Sequence, residues 1–329
     1  MRVLITGAAG FLGRALAAEL SRVDTLVGHN GEPSSIVELV LADRAPCRAP
    51  GRCGFGVVPV QGNLSDPAFV KLLAERRFDS IFHLAASLTL DAEHDPDAAF
   101  EINVEAVRRL IIANSANTPR IIFTSSIAVF GGSLPDIVDD SVRSTPTTTY
   151  GAHKAIVELL LADATRHGRI DGRMLRLPIV LIRPGAATPT VSDRVAAIVR
   201  EPLAGRNVEC PLAPETRIPV VSASAAARAL IALHNLPTSY LPLGRALNLP
   251  ALTVTVADMV ESVERRRKNA GAIGRIAYEP DPALQAIVDG WPKHFVSADA
   301  DRLGLKSDPN FDAIVSEYLC GLETADVHG

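Results

Sequence analysis

Short apolar runs alternate with amphipathic stretches along the first 185 residues. The apolar runs are rich in Val, Ile and Leu, which is typical of strands buried on both faces of a parallel sheet. They cover residues 3–6, 36–42, 56–60, 80–85, 120–124 and 173–182. Apolar residues recur at helical spacing over residues 11–23, 67–77, 98–113 and 150–166. Strands and helices in this order form right-handed crossovers, so the pattern predicts an α/β fold with a Rossmann-type doubly wound parallel sheet.

The pattern loosens after residue 185. Further helices are predicted over residues 191–200, 224–234, 256–268 and 311–322. We therefore predict a nucleotide-binding domain over 1–185 and a smaller C-terminal α/β lobe over 186–329, with an approximate boundary that the chain can cross back over. Because doubly wound sheets bind ligands beyond the carboxyl ends of their strands, we expect this lobe to cover that edge and to bind substrate.

A glycine-rich segment stands directly between the first predicted strand and the first predicted helix. Gly7 permits a tight turn, Gly10 lets the backbone approach a pyrophosphate, and Gly13 lets the helix pack closely on the sheet. The helix N-terminus adds N–H donors and a dipole that favours phosphate. Three glycines at this spacing are weak evidence alone, but at the first strand–helix turn they predict a dinucleotide site. The alternative is a plain connecting turn.

Asp43 follows the second predicted strand and bears on which dinucleotide binds. A carboxylate there accepts hydrogen bonds from the adenosine ribose and repels a 2′-phosphate, so Asp43 favours NAD over NADP. Two observations keep NADP open. The interval from Gly13 is longer than the usual ~20 residues, and Arg44 follows directly, where a guanidinium could accept a phosphate. Asp43 could also be an ordinary turn residue.

Tyr150 and Lys154 stand four residues apart at the start of a predicted helix, a spacing that puts both side chains on one face. A phenol has a pKa of about 10, so it can act as a base at neutral pH only if its pKa is lowered. A neighbouring ammonium lowers that pKa. Such a pair is common by chance. However, Ser125 and Ser126 follow the predicted strand 120–124, where a hydroxyl can donate a hydrogen bond to a substrate oxygen. Together these features predict an oxidoreductase site.

The landmarks resemble those of the extended short-chain dehydrogenases/reductases of the NAD-dependent epimerase/dehydratase family, over almost the whole chain. Residues 6–13, 83–86, 103, 124–131, 150–154 and 183–185 carry the resemblance. It implies a catalytic triad of Ser126, Tyr150 and Lys154, with Ser125 as the alternative serine, and no metal. The NAD contacts that it implies, together with those argued above, are Gly7, Ala9, Gly10, Phe11, Leu12, Gly13, Asp43, Asn63, Leu64, Leu84, Ala85, Ala86, Asn103, Tyr150, Lys154 and Leu177.

A narrower resemblance, to the D-erythronate dehydrogenase group of that family, is carried by several phrases together. They are residues 125–131, 147–151, 154–156, 171–173, 175–178, 200–203, 246–250 and 290–292. This resemblance implies NAD-linked oxidation of the 2-hydroxyl of a four-carbon sugar acid to the 2-keto acid. Asn63 stands where relatives usually have Asp beside the adenine, and residues 186–189 and 219–221 depart from the group's pattern. The last two departures leave the particular sugar acid open, whereas Asn63 bears on cofactor affinity.

An acid substrate requires a cation or a cluster of N–H donors. Arg217, in a non-helical segment of the smaller lobe, is the first candidate for a bidentate carboxylate clamp, the alternative being a surface ion pair. Arg183 and Arg194 are further candidates, and Ser87 could contact cofactor or substrate hydroxyls. The candidate substrate residues are Ser87, Ser125, Ser126, Tyr150, Arg183 and Arg217.

Two other functions stay open at this point. A nucleotide-sugar epimerase or dehydratase would retain and recycle its NAD. A nucleotide-sensing module without turnover would typically lack the Tyr150/Lys154 pair, which is present here. The resemblance also implies a homodimer, in which the predicted helices 98–113 and 150–166 of two subunits form a four-helix interface.

Composition narrows the remaining classes. Hydrophobic residues make up 47% and charged residues 21% of the chain, which excludes a disordered or fibrous protein. The formal net charge of −4 argues against a nucleic-acid partner. Four cysteines are too few for a disulfide framework and lack partners at zinc spacing. No apolar run reaches the roughly 18 residues of a membrane span, and the N-terminal run is too short for a signal peptide, so we expect a cytoplasmic protein without a membrane partner.

Overall fold

The computed structural model describes residues 1–51, 53–185, 188, 190–267 and 273–326 of the chain. The strands are β1 (Arg2–Thr6), β2 (Thr25–Val27), β3 (Pro33–Ser35), β4 (Glu38–Asp43), β5 (Gly56–Gln61), β6 (Ser80–His83), β7 (Arg120–Ser126), β8 (Ile137–Val138), β9 (Asp171–Leu177), β10 (Ile179–Leu181), β11 (Val208–Cys210), β12 (Arg217–Ser222), β13 (Ala246–Asn248), β14 (Leu252–Thr255), β15 (Ile276–Tyr278) and β16 (His294–Phe295). The helices are α1 (Phe11–Val23), α2 (Pro67–Ala74), α3 (Thr89–His94), α4 (Pro96–Phe100), α5 (Ala106–Asn114), α6 (Thr149–Arg166), α7 (Val191–Leu203), α8 (Ala223–Asn235), α9 (Val256–Arg267), α10 (Pro282–Asp289), α11 (Ala298–Arg302) and α12 (Phe311–Asp326).

Seven parallel strands form the central sheet, in the order β13–β9–β7–β6–β1–β4–β5. Alternate residues of β1 pack on opposite sides: Val3 and Ile5 contact the cluster that includes α1 and α8, and Leu4 contacts the cluster of α2, α5 and α6. Helices cover both faces of the sheet, and accordingly both faces of β1 and β4 carry buried apolar residues. The predicted Rossmann-type doubly wound sheet is confirmed.

The predicted strand 173–182 is two strands in two different sheets. β9 lies in the central sheet, whereas β10 pairs with β12 in a three-stranded sheet with β14. Pro178 stands between them and has no N–H to continue the ladder. The chain therefore leaves the central sheet at the point where it passes the carboxyl edge.

The predicted helix 98–113 is also divided. α4 and α5 are joined by a turn of π-helix at Glu101–Glu105, which contains the buried Asn103. A π-helical turn inserts one residue into the helix and is often found at functional sites. Here it turns the Asn103 side chain toward the segment that follows β6.

The C-terminal residues contribute to both halves of the molecule. α8 packs on α1, and β13 pairs with β9 at the edge of the central sheet. The other core is formed by β10, β12 and β14 with α7, α9 and α12. The division after residue 185 remains a prediction; residues 186, 187, 189 and 268 lie outside the described residues. In the described ranges, no helix combines the length and apolarity that a membrane crossing requires.

A buried charge network attaches the end of α8 to the amino ends of β7 and β9. Asp171 pairs with Arg120, Arg173 and Arg245 at 2.9, 2.8 and 2.9 Å. Arg120 and Arg173 each donate to the carbonyl of His234 at 2.8 Å. The guanidinium groups thus satisfy carbonyls at the C-terminus of α8, which have no partner within the helix.

Candidate active site

A cavity of about 540 Å³ opens at the carboxyl ends of β1, β4, β6 and β7. The candidate residues that line it are Gly7, Gly10, Phe11, Leu12, Gly13, Asp43, Asn63, Leu64, Leu84, Ala85, Ala86, Ser87, Ser125, Ser126, Tyr150, Lys154, Leu177 and Arg183. Among the described lining residues, Ala9, Asn103 and Arg217 do not occur. The topology thus brings most of the candidates to one side of the sheet.

The glycine segment is packed too tightly for side chains. Gly7 has φ +73°, and a Cβ added there would lie 2.6 Å from the Ala85 nitrogen. A Cβ at Gly13 would lie 2.2 Å from the Gly7 carbonyl oxygen. Gly10 is the N-cap of α1 and offers no side-chain cap to the first-turn N–H groups. This close backbone approach at a helix N-terminus fits a dinucleotide pyrophosphate.

Asp43 lines the cavity and also fixes the glycine segment. Its Oδ2 accepts a hydrogen bond from the Ala9 N–H at 3.0 Å, and its Oδ1 accepts one from the Ala45 N–H at 2.9 Å. A carboxylate offers about four lone-pair sites, so acceptor capacity remains for ribose hydroxyls. Ala9 therefore contacts Asp43 and does not itself line the cavity. Arg44, the residue after Asp43, does line it.

The start of α6 is held against the turn that follows β7. Thr148 caps the helix by accepting from the Gly151 N–H at 3.0 Å, and Glu93 accepts from the Thr149 N–H at 2.6 Å. A Cβ at Gly151 would lie 2.0 Å from the Ala128 carbonyl oxygen. Because glycine permits this approach, Tyr150 reaches the serines at the end of β7.

Ser126, Tyr150 and Lys154 meet at this point. The Ser126 Oγ accepts from the Ala128 N–H at 3.1 Å and shares a hydrogen bond with Tyr150. The Lys154 Nζ donates to the Thr124 carbonyl at 2.7 Å and lies 5.4 Å from the centroid of the Tyr150 ring. The three side chains predicted from sequence are therefore adjacent in space.

Burial shifts the pKa values of both titratable members. It raises the pKa of Tyr150 to about 12, although the hydrogen bond with Ser126 acts in the opposite direction. It lowers the pKa of Lys154 to about 7, although the Glu158 carboxylate acts to raise it. Burial therefore shifts each group toward its neutral form. A charge beside either buried group therefore shifts the pKa of that group strongly.

The two serines of β7 face in different directions, as successive residues of a strand do. The Ser125 Oγ donates to the Glu158 carboxylate at 2.6 Å and is buried. Ser126 faces Tyr150 instead. Of the two candidates for a hydrogen bond to substrate, Ser126 has the hydroxyl on the side of the phenol.

Asn103 holds the segment after β6 and does not itself line the cavity. Its Oδ1 accepts from the Ser87 N–H at 2.8 Å, and its Nδ2 donates to the Ser87 carbonyl at 3.0 Å. The Nδ2 also lies 3.4 Å from His153 Nδ1. Both amide atoms are thus used to fix the backbone of Ser87, a cavity residue.

A smaller cavity of about 210 Å³ adjoins the first and shares Ser126 and Tyr150 with it. Thr190 and Ser192, at the start of α7, line both cavities, and Trp291 lines the smaller one. Sequence reasoning missed Thr190 and Ser192. The available signal was the predicted helix start at residue 191, the first helix after the predicted strand 173–182.

The three candidate arginines are placed differently. Arg183 lines the larger cavity, with Nη1 3.3 Å from the Thr188 Oγ1. Arg217 is exposed, with Nη1 3.4 Å from His294 Nε2, and Arg194 forms an ion pair with Asp281 at 2.9 Å. Of these three, Arg183 is the one at the cavity.

Comparison with known proteins gives matches over most of the chain. Residues 3–242 match the model of the NAD dependent epimerase/dehydratase family. A D-erythronate dehydrogenase of Cupriavidus necator is 41% identical over 97% of this chain and 98% of its own, and one of Haemophilus influenzae is 36% identical over 97% and 99%. The crystal structure of a nucleoside-diphosphate-sugar epimerase from Agrobacterium tumefaciens has a TM-score of 0.86 at 35% identity, covering 96% of this chain and 92% of that one.

Proposed function

Because the chain belongs to the NAD dependent epimerase/dehydratase family, we propose that it is an NAD-dependent dehydrogenase that oxidises the 2-hydroxyl of a four-carbon sugar acid, such as D-erythronate, to the 2-keto acid. The two D-erythronate dehydrogenases resemble the chain over nearly its whole length, which supports the same substrate class. The observation that carries the reaction is the meeting of Ser126, Tyr150 and Lys154 where the two cavities join.

Ser126 and Tyr150 act together on the substrate hydroxyl. Ser126 donates a hydrogen bond to the hydroxyl oxygen, and Tyr150, as the phenolate, removes the proton. When NAD is bound, its nicotinamide supplies the acceptor for the hydride that leaves the same carbon. Lys154 stabilises the phenolate, which burial alone disfavours by raising the Tyr150 pKa to about 12.

The residues around the larger cavity divide along the length of the cofactor. The glycine segment and the start of α1 would hold the pyrophosphate, Asp43 the adenosine ribose, and Asn63 the adenine. Leu84–Ala86 and Leu177 would line the nicotinamide end.

Because Asp43 presents a negative charge to the ribose, we expect NAD to bind at least tenfold more tightly than NADP, which calorimetry measures directly. Equal affinities would instead point to Arg44 as the group that accepts the 2′-phosphate.

The carboxylate of the acid is proposed to bind Arg183. The described cationic residues of the larger cavity are Arg44, Lys154 and Arg183. Arg44 follows Asp43 at the adenosine end, and Lys154 is buried beneath Tyr150, so Arg183 is the cation at the substrate end. The hydroxyls of Thr190 and Ser192 lie beside it for the remaining oxygens of the substrate.

A panel of four-carbon and six-carbon sugar acids tests the reaction, with NAD and NADP compared by the growth of reduced-cofactor absorbance. We expect D-erythronate with NAD to give the highest kcat/KM. The replacement Tyr150→Phe is expected to lower kcat by about 10²–10⁴-fold while leaving NAD affinity within about twofold. Tyr240→Phe, at an exposed position, is the matched control and should keep full activity. Full activity of Tyr150→Phe would remove the proposed base.

A nucleotide-sugar epimerase is the second candidate. The 35% identity to the nucleoside-diphosphate-sugar epimerase of Agrobacterium tumefaciens supports it. In that case NAD would be reduced and reoxidised within one turnover. Epimerised sugar nucleotide without net NADH would establish this alternative. Steady NADH growth with a sugar acid would exclude it as the main activity.

We also propose that two subunits associate through α6. Ile156 and Leu159 lie three residues apart on this helix and are 38% and 73% exposed. Two such helices paired about a two-fold axis would bury both side chains. Light scattering should give twice the chain mass, and Leu159→Glu should give the monomer. A wild-type monomer would exclude the interface.

A further inference from the structure

A buried ion pair lies one helical turn behind Lys154. The Glu158 carboxylate accepts from Arg176 Nε at 2.8 Å and from Arg176 Nη2 at 2.7 Å, a bidentate geometry. The two side chains are only 9% and 11% exposed. The Ser125 hydroxyl completes the cluster at 2.6 Å from Glu158, and the Arg176 guanidinium lies 5.1 Å from the Phe130 ring centroid. The reaction proposed above uses neither charge.

The groups nearest Lys154 come from four elements, and those that carry charge are Glu158 and Arg176. On α6 they are Tyr150 and Glu158, and on β9 the charge is Arg176, held by Glu158. His83 of β6 is neutral at physiological pH, because burial lowers its pKa to about 3 and the Lys154 ammonium acts in the same direction. β7 contributes side chains without charge, namely Phe123, Thr124 and Ser125.

The remaining titratable groups on the elements packed against this part of α6 are engaged elsewhere or stand at exposed positions. His153 contacts Asn103 and Phe100, and Glu93 accepts from the Thr149 N–H. Glu105 of the π-helical turn is half-buried and pairs with Arg108. The other acids of α3, α4 and this turn are exposed, and the first of them lines the larger cavity: Asp91, Asp95, Asp97 and Glu101. Glu158 and Arg176 therefore form the buried ion pair beside Lys154 and Tyr150.

Because the two charges are opposite and in contact, their electrostatic potentials at Lys154 nearly cancel. Removing Glu158 alone would leave the Arg176 guanidinium near the ammonium and the phenol, with Asp140 as its remaining carboxylate neighbour. Removing Arg176 alone would leave an uncompensated carboxylate in the same place. The two changes must therefore move the protonation of Lys154 and Tyr150 in opposite directions, whereas a purely structural role would not.

We propose that Glu158 and Arg176 are positioning residues: each balances the charge of the other beside Lys154 and Tyr150, so that neither charge alone displaces the pH range in which the ammonium and the phenolate coexist. The pair acts through Lys154 and touches neither substrate nor cofactor. Arg176 also prevents the Glu158 carboxylate from drawing the Lys154 ammonium away from Tyr150. This inference rests on the proposed function, since it assumes that Tyr150 is the base.

The test is the pH dependence of kcat/KM with D-erythronate and NAD. In Glu158→Gln, loss of a negative charge lowers both pKa values, so both limbs of the profile shift to lower pH. In Arg176→Gln, loss of a positive charge shifts both limbs to higher pH. A shift of about 1–2 pH units is expected for a unit charge roughly 6–10 Å away at an effective dielectric constant of ~20. In the double variant, which again has no net charge at the pair, the limbs return to within about 0.3 unit of the wild type.

A second readout does not depend on turnover. The chain has four tyrosines, so the tyrosinate absorbance of the NAD complex, taken as the difference between each variant and the same variant with Tyr150→Phe, reports Tyr150 alone. Its apparent pKa should fall in Glu158→Gln and rise in Arg176→Gln. This measurement stands even where D-erythronate is not the substrate.

Asp163→Asn is the matched control, because it removes a negative charge from the same helix at a side chain that is 60% exposed. The two limbs of its kcat/KM pH profile should stay at the wild-type positions. If Glu158→Gln does not fold, Arg176→Gln carries the same test with the opposite sign, and the double variant buries no lone charge. Folded single variants whose limbs do not move, or move the same way, overturn the proposal. Full activity of Tyr150→Phe would instead overturn the proposed function.

Discussion

We expect neutralisation of the Asp171 carboxylate to destabilise the fold strongly. Asp171 belongs to the buried charge network at the amino ends of β7 and β9. It pairs with Arg120, Arg173 and Arg245, and the side chains of Arg120 and Arg173 are only 6% and 0% exposed. The replacement Asp171→Asn leaves these guanidinium groups with one another and with helix carbonyls, but without a counter-charge. Breaking a buried pair in this way costs about 3–5 kcal/mol. We expect the free energy of unfolding at pH 7 to fall by that amount.

The pKa of Asp171 adds a pH signature to this expectation. Burial acts to raise it, but hydrogen bonds and charges from Arg173 and Arg120 prevail and lower it to about 2, from an ordinary value of 3.8. A carboxyl whose pKa is lower in the folded state stabilises the fold above its unfolded pKa. That stabilisation, about 2 kcal/mol, is lost as the pH falls from about 4 to about 2.

Denaturant unfolding of wild type and variant, at pH 7 and at several pH values down to 3, measures both effects. The difference between the two proteins should shrink as the pH falls. Asp163→Asn, whose pair with Arg166 is exposed, serves as the control and should change stability by no more than about 0.5 kcal/mol. An Asp171→Asn variant within about 1 kcal/mol of wild type at pH 7, or with an unchanged pH dependence, would refute the reasoning.

Two further expectations concern the cavity. Gly13→Ala would bring a Cβ within 2.2 Å of the Gly7 carbonyl, a backbone atom that cannot turn aside, so we expect a loss of about 1–3 kcal/mol in stability and at least about tenfold in NAD affinity by calorimetry. Gly244→Ala, which meets no atom within 4 Å, should change neither quantity, and normal NAD binding by Gly13→Ala would contradict the packing argument. Arg183→Met should raise KM for D-erythronate by about 10–100-fold with NAD affinity unchanged, because it removes a charge-assisted hydrogen bond to the carboxylate. If Arg217→Met has that effect instead, the carboxylate binds elsewhere.

The parts of the molecule that sequence could predict depend on local signals. Gly7, Gly10 and Gly13 stand between a strand and a helix that are adjacent in the chain, so their spacing alone carries the geometry. Tyr150 and Lys154 share a face because a helix has 3.6 residues per turn. A run of β-branched residues identified the strands but not the sheet to which each belongs.

The features that escaped prediction join distant parts of the chain. The Asn103 amide fixes the backbone of Ser87, and this depends on a π-helical turn that leaves no mark in the hydrophobic pattern. In the sequence, Arg183 and Arg217 are alike as arginines outside the predicted helices. The structure places Arg217 at the start of β12, and only the docking of β10 and β12 decides which of the two reaches the cavity. Long-range packing, which no spacing rule encodes, decided these cases.

The return of β13 to the central sheet has a consequence for how the chain folds. A fragment that ended after residue 185 would lack both the strand that covers the edge of β9 and the helix α8 that packs on α1. It would expose the backbone of an edge strand together with a large apolar face, a combination that promotes aggregation. Synthesis on the ribosome must therefore pass β13 before the first half can reach its native state, and both halves should melt in a single cooperative transition.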